Sequence, residues 1–368
     1  MALEHHQPTH LPLYNDEAIE VLIVALATLV LIRRRRHRRR QRRQWRWRPS
    51  YEYTQASFSL DLMPPGRARA WLRFTIPEII ELAPLLQLDR IQYRYRLQVD
   101  STTALCITCA RLSTPGKWYP LVDLFGRSRT WLSIVFHDTI SFLASTFASR
   151  LRWHPQLSNY TRLKEFSKAI HQLCGIQDIW GFVDGTFRGC RRPGDNAAQK
   201  LIFSGHKRLH GINWQAIATP DGLISSLTGP FAGSVNDWAI WKRSGCEEAL
   251  RVVLRDQEML YIYGDPAYNT AFGIACPFEH PRGRRFLPKE KQAFNQALSS
   301  VRIAVEQAFG DIQVQWTYTA FAKGLTAGRQ PIASYFAVAV LLSNCYTCYR
   351  RKQNRFSVTP PNIREYLQ

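Results

Sequence analysis

The chain predicts an α/β fold: a mixed sheet flanked by helices, preceded by an all-α region with a helix-turn-helix-like segment. Three observations carry this. Apolar runs of strand length occur at 179–183, 210–219, 222–228 and 260–264, bounded by glycine, proline and acidic residues. Helical periodicity fills 73–151 before them and 289–315 and 330–350 after them. Two of the strand-like runs stop at a carboxylate, Asp184 and Asp265, where a buried strand would otherwise leave an acid at high cost.

The totals bound the class. A length of 368 residues allows two or three domains, and 45% hydrophobic with 12% aromatic residues excludes global disorder. Lys and Arg number 49 against 28 Asp and Glu, a formal charge of +21 that points to a polyanionic partner, nucleic acid before an anionic membrane. Eight cysteines are too few for a disulfide scaffold. The pairs Cys106/Cys109 and Cys345/Cys348 lie far apart in apolar, helix-like contexts and read as packing rather than zinc ligation.

The expected division is an apolar stretch and arginine-rich arm over 1–50, a helical domain over 51–155, an α/β domain over 156–355 and a C-terminal tail over 356–368. Residues 21–32 are uncharged, but twelve residues fall short of the roughly 20 a membrane span needs. A packed helix is the preferred reading, with a signal anchor the alternative. The run 33–48 holds eleven arginines and no acid, with Trp45 and Trp47 near its end. It suits a nuclear import signal, a phosphate-gripping arm or both, against the plainer reading of a solvated charge block.

Thr75 and Pro77 open a helix as N-cap and first-turn proline, and 101–112 forms a second. Residues 119–136 read as a short helix, a turn at Gly126 and a new helix capped by Ser128. Arg127, Arg129 and Thr130 then stand where a recognition helix would meet DNA, a plain helical hairpin being the other reading. A linker over 152–160 and a helix over 161–173 lead into the first strand, which is expected to end at Asp184 with Gly185 turning the chain away. Pro220-Asp221-Gly222 is turn chemistry, so Asp221 reads as structural. Helices over 235–256 precede the strand that ends at Asp265.

Asp184 and Asp265 would sit on neighbouring strands, and Glu306 would reach in from a helix whose buried stripe is Leu298, Val301, Val305, Ala308 and Ile312. Three carboxylates so placed suit Mg²⁺ or Mn²⁺, hard cations that prefer oxygen, and two such ions suit in-line phosphodiester cleavage. The competing reading of Glu306 is an ordinary i,i+4 pair with Arg302.

Six strings carry a resemblance. They are Val183-Asp184-Gly185-Thr186; Gly205-His206-Lys207-Arg208-Leu209-His210-Gly211 with Gln215; and Thr219-Pro220-Asp221-Gly222-Leu223-Ile224. The others are 229–237, ending Asn236-Asp237; Gly264-Asp265-Pro266-Ala267-Tyr268; and 302–310, containing Glu306. In this order they resemble the Harbinger-type DDE transposases, nucleases with an RNase H-like core, and most of all their fungal branch. The resemblance implies that Asp184, Asp265 and Glu306 hold the metal and that Asp237 is an accessory acid. It further implies that His206, Lys207, Arg208 and His210 lie on the second strand along the DNA path, with Arg302 a further DNA contact. The implied chemistry is cleavage at element ends followed by attack of the freed 3′-hydroxyl on target DNA. Double-stranded DNA, a Myb-like DNA-binding protein and a second copy of the chain are the expected partners; a membrane is not. Phe187, Asn236, Gln307, Gln313 and Gln315 depart from the family's pattern and thin its basic surface. The alternative function is a domesticated or inactive DNA-binding protein with a vestigial nuclease core.

Overall fold

One strand organises the molecule. In the computed structural model, which describes residues 58–279, 286–320, 322–351 and 355–368 without the side chains of 304–306 and 323, β1 (Ile179–Gly189) has partners on both edges. It pairs antiparallel with β3 (Leu209–Ala218) and parallel with β5 (Tyr261–Tyr263). β3 in turn pairs with β4 (Ile224–Ala232) and with the two-residue β2 (Phe203–Ser204), and β5 pairs with β6 (Ile274–Ala275). The sheet is therefore mixed, as expected. The apolar stretch 21–32 and the arginine run 33–48 lie outside the described residues.

Two local expectations are corrected. β1 does not end at Asp184; its ladder with β3 runs unbroken from Phe182↔Ala218 to Gly189↔Gly211, so inter-strand hydrogen bonds carry the chain straight past Gly185. His206, Lys207 and Arg208 do not lie on a strand either. They form the exposed turn between β2 and β3, with Arg208 left-handed at φ 53°, and only His210 is in the ladder.

Side chains alternate across β1. Phe182, Asp184, Thr186 and Arg188 face α7 (Tyr160–Cys174), α11 (Lys289–Gln315) and α12 (Ile332–Arg350). Phe336 of α12 packs on Trp214 and under the Arg188 guanidinium, which is 3% exposed. Gly185 and its cross-strand neighbour Gln215 face the other side, toward α9 (Asp237–Ser244), which leads through Gly245 into α10 (Cys246–Val253). A short helix absent from the sequence reading, α8 (Asn196–Ile202), is capped by Asp195 and feeds β2.

Upstream stand α1 (Pro65–Leu72), α2 (Ile76–Leu85), α3 (Ser101–Ser113), α4 (Tyr119–Phe125), α5 (Arg129–Thr146) and α6 (Ala148–Arg152). α2 opens with a capping box in which Thr75 and Glu78 satisfy each other's backbone N–H groups. Gly126 takes the left-handed conformation between α4 and α5, and the Ser128 hydroxyl accepts from Trp131 N–H. Arg127, Arg129 and Thr130 are exposed there. These helices share the core of the sheet region: Phe74 meets Trp316 at 6.3 Å, Phe136 meets Tyr335 at 5.5 Å, and His137 Nε2 bonds Tyr335 Oη at 2.8 Å. Arg111 is buried between the rings of Trp118 (4.4 Å) and Tyr318 (4.1 Å) and donates to the carbonyls of Thr114 and Gly116.

α12 is as long and apolar as a membrane span, but Tyr335, Val338, Ala339, Val340 and Leu342 are all fully buried inside the protein. Cys345 and Cys348 on it, and Cys106 and Cys109 on α3, are buried with it. Residues 356–368, read from sequence as a tail, end in α13 (Ile363–Leu367), whose Tyr366 hydroxyl accepts from Asn344 and whose ring stacks on His154 at 5.0 Å.

The β3–β4 turn is fixed by Asp221, which is fully buried and accepts from Thr219 Oγ1 (2.6 Å), Leu223 N–H (3.3 Å) and Arg162 Nη2 (3.1 Å). Asp221→Ala is expected to destabilise the chain by about 3 kcal/mol, because it strips a buried hydrogen-bond hub and leaves Arg162 without that partner. The readout is a lower urea midpoint at unchanged m-value; a loss below about 1 kcal/mol would reject a structural role for this acid.

Candidate active site

Asp184 lies in the middle of β1, opposite Ala216, with its side chain 16% exposed. Its Oδ1 accepts the Gly185 N–H at 2.9 Å and stands 3.7 Å from Arg302 Nη2 of α11. Burial pushes its pKa up to about 6, against the pull of Arg302; the charges of Asp265 and Asp237 push the same way as burial. Glu306 is one helical turn beyond Arg302, so its backbone belongs to the same helix over β1; its side chain lies outside the described residues.

Asp265 follows β5 by two residues. Because β5 runs parallel to β1 in the register Phe182↔Tyr263, both strands deliver an acid from the same direction. Asp265 Oδ1 accepts Ala267 N–H at 2.9 Å and its carbonyl accepts Tyr268 N–H at 3.1 Å, a side-chain-closed turn that Pro266 suits. The turn lays the Tyr268 ring over Gly264, where a Cβ would come within 2.9 Å of the ring.

Asp237 is the surprise of the geometry. It is the first residue of α9, where the helix dipole favours an acid, and Asn236 caps that helix by accepting Ala239 N–H. Its carboxylate rests directly on Gly185: a Cβ there would sit 2.6 Å from Asp237 Cγ. Burial raises its pKa and Asp265 raises it further, while Lys207 and His206 of the β2–β3 turn pull it down. The resemblance ranked Asp237 as accessory; the sequence holds no local signal that its helix start would fall on Gly185.

Tyr268 and Gln215 complete the floor, and neither was singled out as a site residue from sequence. Tyr268 is 2% exposed, and its hydroxyl accepts from Gln215 Nε2 at 3.0 Å, which also reaches the Asp237 carbonyl at 3.3 Å. Burial, then the charges of Asp237, Asp184 and Asp265, raise the Tyr268 pKa well above normal, so one phenol lies within the field of all three acids. Gln215 Oε1 is buried without a described partner.

The structure thus brings together Asp184, Asp237, Asp265 and Arg302, with His206 and Lys207 near enough to act on Asp237. Arg208 is exposed in the same turn, and His210 packs on Phe203 at 5.1 Å. Arg127, Arg129 and Thr130 make no described contact with this cluster.

The donor set suits a hard divalent cation: it is all oxygen, and its like charges repel until a cation joins them. Among the described residues no three His, Cys, Asp or Glu side chains are arranged to hold an ion.

Residues 183–344, less than half of the chain, match the family described as DDE superfamily endonuclease. A protein ALP1-like from Arabidopsis thaliana is 20% identical over 223 residues, 58% of this chain and 52% of that protein. The chain therefore spans about half the length of this curated relative. No solved structure matches.

With its pKa raised, Asp184 holds a proton in the folded chain that it would lose in the unfolded chain, over the window from the ordinary carboxylate range to about 6. In metal-free buffer, stability is therefore expected to fall as pH rises through that window and to level off above it, by about 1.4 kcal/mol per pKa unit. Asp184→Asn should remove that residue's share of the slope, leaving the smaller part that Asp237 adds, and should melt higher than wild type in EDTA at about pH 7.5 and alike at about pH 4. Identical melting curves at both pH values would contradict the strained carboxylate.

Proposed function

We propose that this protein is a metal-dependent DNA endonuclease, a Harbinger-type DDE transposase of the fungal branch, that cleaves phosphodiester bonds at element ends and joins the freed 3′-hydroxyl to target DNA. The observation that carries this reading is the delivery of Asp184 and Asp265 by adjacent parallel strands into one half-buried cluster under the helix of Arg302 and Glu306. The endonuclease match over 183–344 supports it.

In this reading Asp184, Asp265 and Glu306 hold Mg²⁺ or Mn²⁺, two ions in all, with Asp237 an accessory acid. Bound metal would supply Lewis-acid stabilisation of both the attacking and the leaving oxygen. The chain's own residues do the rest. Arg302 balances Asp184 and is placed to meet a phosphate. Gln215 and Tyr268 fix the floor, so the Asp237 carboxylate keeps its place over Gly185. Lys207, Arg208, His206 and His210 line the approach from the β2–β3 turn, and Arg127, Arg129 and Thr130 at the start of α5 offer a separate duplex contact. The +21 charge suits DNA as substrate, and the arginine run 33–48 suits a nuclear import signal; a Myb-like protein and a second copy of the chain are the further partners that the resemblance implies.

A second reading, a DNA-binding protein with a vestigial core, is favoured by Arg302 itself, whose charge already offsets Asp184 without metal.

Supercoiled plasmid incubated with Mg²⁺ or Mn²⁺ separates the two. Wild type is expected to nick, and Asp184→Ala, Asp265→Ala and Glu306→Ala each to lower the rate by on the order of 100-fold or more. Nicking that survives all three substitutions would sink the acid assignment. Retained DNA binding with no nicking by any variant, on plasmid that carries candidate element ends, would favour the second reading.

A further inference from the structure

The segment between β1 and β3 carries an apolar surface that the acid cluster does not use. Leu201 is 42% exposed, Phe203 40% and Leu209 57%, three large apolar side chains within nine residues. Single exposed apolar residues are ordinary; here Leu201 lies in the last turn of α8, and Phe203 and Leu209 stand on opposite faces of the hairpin that follows it, so Phe203 is the apolar side chain that shares a face with His210. The Phe203 ring lies on the His210 ring at 5.1 Å, which stiffens both without covering Phe203's outer side.

The same segment is rich in cations. Residues 191–210 hold Arg191, Arg192, Lys200, Lys207 and Arg208 against one acid, Asp195, whose carboxylate is engaged as the α8 cap. All five cations are exposed. Aromatic and aliphatic faces set among exposed cations match a polyanion that also offers flat apolar faces, which is a nucleic-acid strand with its bases unpaired. A duplex hides those faces.

The hairpin is also tied to the acids. Ser234 Oγ donates to the Leu201 carbonyl at 3.0 Å, and a Cβ at Gly233 would come within 2.5 Å of the Ile202 carbonyl. The loop pinned in this way runs directly into Asn236 and Asp237. At the hairpin's other end Lys207 and His206 act on the Asp237 carboxyl.

We propose that the β2–β3 hairpin is a stacking platform for unpaired nucleotides beside the acid cluster, with Phe203, backed by His210, the base contact and Lys207 and Arg208 of the turn gripping the adjoining phosphates. The substrate of this site is then DNA opened next to the scissile bond, not intact duplex. This rests on the nucleic-acid reading of the site and deepens it.

The test is fluorescence anisotropy of the full chain in EDTA with two labelled probes, a blunt duplex and the same duplex with a single-stranded thymine tail. Wild type is expected to prefer the tailed probe. Phe203→Ala should weaken tailed binding about tenfold and leave blunt binding unchanged, with Phe203→Tyr restoring it. Lys207→Ala should weaken both probes alike. Thermal melting of each variant checks that the hairpin still folds. No preference in wild type, an unchanged Phe203→Ala, or a Phe203→Ala loss that is equal on both probes would each overturn the platform. So would a Phe203→Ala chain that binds DNA normally while light scattering shows an oligomer falling apart, since the face would then join two copies. Binding is read without metal, so a failure of the cleavage reading leaves this result legible in its own right.

Discussion

Mutual repulsion among half-buried carboxylates is the constraint to which the rest of the fold answers. Asp184, Asp237 and Asp265 come from a strand interior, a helix start and a strand end, and no one element could hold all three. The scaffold offsets their repulsion piece by piece. Arg302 leans on Asp184, the α9 dipole on Asp237, and backbone N–H groups on Asp184 and Asp265. Gly185 and Gly264 make the geometry attainable, since a side chain at either would evict the Asp237 carboxylate or the Tyr268 ring.

Much of this was legible in sequence because its signals are local. The Thr75 cap, the Gly126 turn, the Ser128 cap and the β3–β4 turn at Asp221 each follow from residues within four positions of one another, and each is found. The neighbouring placement of Asp184 and Asp265 followed from two apolar runs ending in acids. What escaped was set by distant partners. β1 continues past Asp184 because β3 supplies a ladder for Thr186 through Gly189, and no local feature of glycine, threonine and arginine says so. The basic residues 206–208 resemble strand continuation, yet the two-residue β2 folds back on Leu209 and His210 and turns them into a loop. The position of Asp237 needed the approach of α9 to Gly185 across the sheet, which no spacing encodes.

Two buried arginines show how this chain keeps charge in its core without acids. Arg111 lies between two aromatic faces and donates to carbonyls; Arg188 lies over Phe336 and donates to Thr186 Oγ1. Burial lowers the pKa of both, that of Arg188 to about 10, still far above neutrality. A cation thus stands on the Asp184 face of β1, two side chains further along the strand.

The aromatic seam joining the upstream helices to the sheet region has a practical consequence for anyone dissecting the protein. Phe74 and Phe136 cover Trp316, Tyr335, Tyr346 and Tyr349, and Glu78 is clasped by Arg350. A recombinant fragment cut to begin at the linker before α7 would bare these rings along the whole flank of α11 and α12. It would be a sticky, poorly soluble half-protein whose inactivity would say nothing about its acids. Truncations meant to isolate the chemistry should keep the chain from α1 onward.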